Sequence, residues 1–392
     1  MFYGYGGSIL RVNLTTGTIK KEPVTEELAR EWLGGRGFVI KTLWDEVKAG
    51  TPPFSPDNKV IIASGPLAGV LVPAGGKLEL GTKSPATGGY GDSNMGGTLA
   101  PEMKHAGIDA IIVEGACDHP CYLFIDDDKI EIRDATKYWG QGAIKAEAVL
   151  TQDLGEDFRI MTIGPAGEKK VVFACVSQDF GRQAGRAGIG AVLGSKKLKA
   201  VAVRGSKSIP VADLPKLTEK SRQMYKAIAE NPGFMHFAEG GTPYVVPWVN
   251  KAGCMPTKNF TTGYFEQASG LDEVAVGKEI KIGNKACYAC NIGCGNYSKA
   301  KAMGQEVYLE GPEYESIGML GSNCLLGNIH EVAYASLEAD ELGLDTISAG
   351  SAVAFALECY EKGILTKEQV GREVKFGDLE SVVYLLRLIG NR

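Results

Sequence analysis

The sequence predicts an α+β fold, with a β-rich part over residues 1–210 followed by a mostly helical part over residues 211–392. Three observations carry this reading. Short apolar runs recur through the first part at 59–64, 77–82, 110–114, 121–125, 129–133, 170–176 and 199–204, most of them bounded by Gly, Pro, Asp or Asn. From Asp213 onward the apolar spacing becomes helical, over 214–229, 330–342, 347–362 and 379–389. Glycine, at 52 residues, gathers in clusters at 88–97 and 181–194, which marks special loops and not low complexity. One helix is predicted to interrupt the strands after Val24: Thr25 can cap it, Glu26 and Glu27 suit its positive end, and Gly34-Gly35 stops it.

With 392 residues, 44% of them hydrophobic and 23% charged, the chain can bury a large core in two or three domains. The net charge of -5 carries no long run of one sign, which argues against nucleic acid as a partner. The start of the chain lacks the basic and apolar regions of a signal peptide, and no stretch reaches the ~18 apolar residues of a spanning helix. A cytoplasmic protein with no membrane partner is expected. In that compartment the nine cysteines are expected as thiols, ligands or core residues, not disulfides. The helical pattern runs to Gly390-Asn391-Arg392 without a stop signal, which reads as an interrupted domain.

Cys287, Cys290 and Cys294 form a Cys-x-x-Cys-x-x-x-Cys run on a glycine-relieved loop. Thiolates so spaced reach three corners of a four-iron, four-sulfur cluster, whose fourth ligand normally comes from elsewhere in the fold. Structural zinc is the alternative, but it calls for a second Cys or His pair at similar spacing, and none follows: the one downstream histidine, His330, stands alone. In the segment 182–196, Arg182 and Arg186 flank glycines at a predicted helix start. Backbone N–H groups and guanidinium forks there make a phosphate cradle. The competing reading has the glycines packing a helix on a strand and the arginines solvated. The cluster 88–97, with Asn94 and Gly96, reads by itself as a turn before an amphipathic segment. Downstream, Gly343 stops one helix and Asp345 caps the next. Capping does not explain Asp340, near a helix end where negative charge is unfavourable; two carboxylates at a bend suit the amide-amine edge of a pterin or guanine-like ring. Cys117-Asp-His119-Pro-Cys121 reads as a turn more than a metal site, and Cys254 and Cys324 as core residues.

Taken in order, these motifs closely resemble the aldehyde ferredoxin oxidoreductase family. The set also includes Gly-Gly-Ser-Ile-Leu-Arg-Val-Asn-Leu-Thr from Gly6, Gly-Gly-Arg-Gly at 34–37, Ser-Gly-Pro-Leu-Ala-Gly at 64–69 and Glu310-Gly-Pro-Glu-Tyr-Glu315, and it covers essentially the whole chain. The resemblance implies a β-rich base for a tungsten bis-pterin cofactor, with molybdenum as the other candidate metal, one 4Fe-4S cluster, and Mg2+ bridging the pterin phosphates. Its pterin-phosphate contacts would fall on Asn94, Gly96, Arg182, Ala184, Gly185 and Arg186. Asp340, Leu344 and Asp345 would hold the pterin ends, and the three cysteines the cluster. Lys77 stands where the family usually has an arginine and lacks the bidentate fork.

The resemblance also implies aldehyde oxidation to a carboxylic acid, with electrons leaving through the cluster to ferredoxin. Glu315, preferred over Glu313, would relay protons, and Tyr314 would donate a hydrogen bond to the substrate oxygen. Full-length members of the family continue into a third domain that supplies the fourth cysteine. The chain would then be a gene fragment, one part of a split enzyme completed by another polypeptide, or a short homologue, and homodimers are common in the family. Two alternatives remain open: the catalytic subunit of a larger tungsten-dependent complex such as an aryl-CoA reductase, and a non-catalytic cluster-binding electron-transfer or scaffold subunit.

Overall fold

The computed structural model describes residues 2–392, which divide into two compact units: residues up to Ile228 together with Cys287–Asn291, and Ala229–Ala286 together with Ile292–Arg392. In the first unit the strands are β1 (Ser8–Asn13), β2 (Thr18–Pro23), β3 (Val60–Ser64), β4 (Leu78–Lys83), β5 (Tyr90–Met95), β6 (Ile108–Glu114), β7 (Cys121–Asp126), β8 (Lys129–Asp134), β9 (Arg159–Thr162), β10 (Val176–Gln178), β11 (Arg182–Ala184) and β12 (Leu198–Arg204). They form two six-stranded mixed sheets, ordered β2-β1-β6-β3-β4-β5 and β11-β10-β9-β12-β7-β8.

Strand periodicity places the core. Val60, Ile62, Leu78 and Leu80 of the first sheet share one apolar cluster with Leu123, Ile125, Val201 and Val203 of the second. The alternate residues point the other way: Ile61, Ala63, Ala110 and Ile112 pack under the helix Arg36–Glu46, while Tyr122, Phe124, Ile160 and Ala202 pack with Leu150 of the helix Ala143–Leu154. Central strands buried on both faces read as continuous apolar runs, which is why β3, β6, β7 and β12 are plain in the sequence. Lys104 pairs with Asp109 inside this unit, where both side chains are fully buried. The Asp109 carboxylate also accepts from the backbone N–H groups of Gly6 and Gly7, at 3.0 and 2.7 Å, so the opening glycine motif is a structural clamp.

Several expectations change. The run 170–176 is strand only at its last residue, Val176, where β10 begins: before it, Gly190 N–H donates to Ala174 O, and the Val172 and Cys175 carbonyls lie so close to Gly188 and Gly190 that a Cβ there would overlap them. That backbone is spent against a helix and not a ladder. The cluster 88–97 is largely strand β5, with Gly91, Ser93 and Met95 buried and Tyr90 and Asn94 exposed. Arg182 lies in β11 and the helix begins only after Gly188, at Ile189–Ser195. Cys117 and Cys121 form a disulfide across the Asp-His-Pro turn, against the expectation of thiols; their Cα atoms are 6.6 Å apart, within bridging reach.

The second unit is mostly helical, but it also holds a three-stranded antiparallel sheet of β13 (Lys281–Lys285), β14 (Gly295–Ala302) and β15 (Gln305–Glu310). Polar, weakly apolar strands such as these carry little periodic signal. Its main helices include Ile329–Leu342, Thr346–Glu361 and Leu379–Asn391. Gly350 lets the second of these meet the Met319 backbone closely, since a Cβ there would lie 2.6 Å from its carbonyl oxygen.

Candidate functional site

Within the first unit, the hairpin β10–β11 and the end of β5 gather most of the expected phosphate contacts. β11 carries Arg182 half-buried and Ala184 buried, and the loop beyond it carries Gly185 and an exposed Arg186. Arg186 N–H donates to Ser93 Oγ at 3.1 Å, tying this loop to β5, which bears Asn94. Lys77, beside β4, donates to Asn94 Oδ1 at 2.8 Å, so lysine and asparagine act on one exposed face. The glycines divide by role. Gly188, Gly190 and Gly194 touch neighbouring backbone where a Cβ would overlap, as the packing reading anticipated, whereas a Cβ at Gly185 would meet nothing within 4 Å. Gly185 alone among these four leaves its backbone open to a ligand.

The loop Cys287–Asn291 packs in the same unit, against the end of β5. A Cβ at Gly96 would overlap the Cys287 Sγ, so glycine is required for Cys287 to lie against the cradle edge. Tyr288 N–H donates to Gly97 O at 3.2 Å and its hydroxyl to Gly69 O at 3.0 Å. Tyr225 fixes the other flank through Ala289 O at 2.7 Å; burial, and then the Cys290 sulfur, push its phenol pKa up. Cys290 belongs to this loop, while Cys294 is assigned to the second unit just before β14. Among the described residues no three Cys, His, Asp or Glu side chains converge as a ready metal-ligand group.

Further along the outward face of β4 and β5, Glu79 and Asp92 share Arg36, the arginine of the Gly-Gly-Arg-Gly motif. Burial and then Asp92 raise the Glu79 pKa to about 7, with Arg36 opposing. Asp92 is held low against the effect of burial by hydrogen bonds with Glu79, Arg36 and Tyr90.

In the second unit the helix Ile329–Leu342 ends at Gly343, left-handed at φ 72°, and the next helix begins at Asp345. Asp345 caps it, accepting from Ile347 N–H at 3.0 Å and Ser348 Oγ at 2.6 Å. Asp340, Leu344 and Asp345 are all buried, at 6%, 1% and 5% exposure. Two carboxylates are thus carried into the interior at one bend. The segment 313–315 forms a second corner. Thr242 donates its hydroxyl to Glu313 and accepts from Tyr314 N–H at 2.8 Å, so Glu313 is tied down while Glu315 is exposed. Burial raises the Tyr314 phenol pKa, with Glu315 and Cys254 adding to it.

Each unit by itself offers groups that a phosphorylated pterin needs: in the first, cations and an open glycine suited to phosphates with thiols nearby, and in the second, buried carboxylates suited to N–H edges. Three participants carry no sequence signal: Ser93, Thr242 and Gln178, whose Nε2 donates to Gly96 O at 2.5 Å. Gln178 could be suspected only from its place across a short turn from Arg182.

Sequence families described as the aldehyde ferredoxin oxidoreductase N-terminal domain and domains 2 and 3 match residues 9–205 and 219–392. The chain is 45% identical over its full length to a tungsten-containing aldehyde ferredoxin oxidoreductase of Pyrococcus abyssi, covering 65% of that protein. It is 33% identical to the WOR-like subunit of an aliphatic sulfonate oxidoreductase of Pyrococcus furiosus, over 99% of this chain and 64% of that one. Among solved structures it resembles the active-site complex BamBC of benzoyl coenzyme A reductase bound to 1,5-dienoyl-CoA, with a TM-score of 0.88 and 32% identity over 100% of this chain and 61% of that one. The chain therefore spans just under two thirds of the length of these relatives. With both sequence families matched in order along the chain, the protein belongs to the aldehyde ferredoxin oxidoreductase family.

Proposed function

We propose that this chain is the cofactor-binding portion of a tungsten-pterin oxidoreductase that oxidises aldehydes to carboxylic acids, passing electrons through a 4Fe-4S cluster to ferredoxin or another electron-transfer subunit. The observation that carries the proposal is the open Gly185 between Arg182 and Arg186, on a unit whose Gly96 also seats Cys287. A tungsten bis-pterin group bound there would supply two-electron oxidation, and Cys287, Cys290 and Cys294 would hold a cluster suited to one-electron transfer.

The chain's residues hold and orient. Arg182, Arg186 and Lys77, with Asn94, Gly96 and the Ala184–Gly185 backbone, would neutralise and position the phosphates, whose remaining charge Mg2+ would balance. Asp340, Asp345 and the Leu344 backbone hold the ring edges. Tyr314 donates to the aldehyde oxygen, and Glu315, exposed where Glu313 is tied to Thr242, moves the proton at its carboxylate. A separate polypeptide or a further domain completes the cluster with a fourth ligand, and the assembly works in the cytoplasm. Among the described residues no helix is long and apolar enough to cross a membrane.

Glu315→Gln tests the proton role: aldehyde oxidation by the complete protein should fall about 100-fold with pterin content unchanged. Equal activity would remove Glu315 from the reaction. A second reading, the catalytic subunit of an aryl-CoA reductase complex, is favoured by the likeness to BamBC. Turnover of aryl-CoA esters in place of aldehydes would select it.

A further inference from the structure

Gln178 ends β10 with 1% exposure and lies directly across the ladder from Arg182. Its Nε2 donates to Gly96 O at 2.5 Å, and because a carbonyl can only accept, this contact fixes which end of the carboxamide is which. The packing around it is close: a Cβ on Gly97 would lie 2.7 Å from the same Nε2 and would overlap the Asp179 carboxylate. The other end of the carboxamide is the informative one. Gln178 Oε1 is enclosed and receives no hydrogen bond from any described residue. A buried acceptor without a donor is destabilising, and native proteins rarely retain one unless a water or ligand completes it. This one sits on the residue that holds Gly96 and faces Arg182 across the ladder, between two of the residues assigned to the cofactor.

We propose that Gln178 is a further cofactor-binding residue: Nε2 locks the Gly96 carbonyl, and Oε1 accepts a hydrogen bond from an N–H or O–H group of the bound pterin. The inference rests on the cofactor reading above and adds a contact that neither charge nor glycine content would suggest. It also explains why a neutral amide is needed there. An acid would set oxygen against the Gly96 carbonyl, and an apolar side chain would serve neither partner.

The test uses the natural protein, complete with whatever polypeptide supplies the rest of the site, purified anaerobically as wild type, Gln178→Met and Gln178→Asn. Pterin is measured by fluorescence after oxidative release, iron by colorimetry and the fold by circular dichroism. Wild type should release pterin. Gln178→Met, matched in length but without polar ends, should keep its fold and iron while retaining pterin about tenfold less well, the loss of roughly one buried hydrogen bond. Gln178→Asn, too short to reach both partners, should fall between. A folded Gln178→Met protein with wild-type pterin content overturns the proposal, because a trapped water would then suffice. If Gln178→Met does not fold, unchanged pterin in Gln178→Asn overturns it equally. A wild type without pterin is a different failure: it defeats the cofactor reading itself.

Discussion

The two units meet ligand chemistry from opposite signs and with different structural commitments. The first offers cations and backbone, Arg182, Arg186, Lys77 and the open Gly185, on strands and loops at the rim of a sandwich whose core is complete without them. The second offers carboxylates, and there the ligand group is also a fold group, since Asp345 caps the helix Thr346–Glu361. Cations suit phosphate and carboxylates suit N–H edges, so the two units differ in the chemistry they offer a ligand. The difference teaches where binding and stability can be separated: cleanly in the first unit, and in the second only by substitutions that preserve the cap.

The largest break in that comparison should come from Arg182→Ala combined with Arg186→Ala. Losing two charge-assisted forks should lower pterin retention about 100-fold or more while the melting temperature moves by only about 3 °C. A collapse of stability would place these arginines in the fold and not at the ligand. Next comes Asp345. Alanine should cost about 1 kcal/mol through the lost cap and also reduce pterin about tenfold, whereas Asp345→Ser should restore the melting temperature and leave pterin low. If serine restores both, the aspartate is a cap and nothing more.

A smaller effect tests the carboxyl pair of the first unit. The Glu79 pKa is raised from 4.5 to about 7 in the fold, so its proton is held longer there than in the unfolded chain. Its contribution is therefore favourable at low pH and is lost as pH rises through 7. Glu79→Gln should match wild type near pH 5 and exceed it by about 1 kcal/mol at pH 8, with Asp92 sharing the shift. A difference that does not change with pH would contradict the assignment. Smallest of all, Lys77→Arg should improve pterin retention by about threefold by supplying the bidentate fork.

Much of the fold was legible because both faces of β3, β6, β7 and β12 are apolar and the caps at Thr25 and Asp345 are chemically explicit. Strand β5 was hidden because its buried face opens with Gly91 and Ser93, which read as turn residues, and only Met95 on that face is apolar. The Arg182 segment was identified by its charges, but its local structure was missed, since a three-residue strand pairs at long range with no pattern of its own. Gly185 and Gly188 look alike in sequence; only the space around each separates a ligand cradle from a packing contact. Gln178 was illegible for a related reason, since what sets it apart is an enclosed oxygen and not its residue type.

The most direct test of the central claim is metal and pterin analysis of the natural protein, isolated anaerobically with any companion polypeptide. The account predicts tungsten or molybdenum together with releasable pterin, and iron and sulfide where the fourth ligand is supplied. Protein that is folded and complete but contains neither tungsten nor molybdenum and releases no pterin would contradict it.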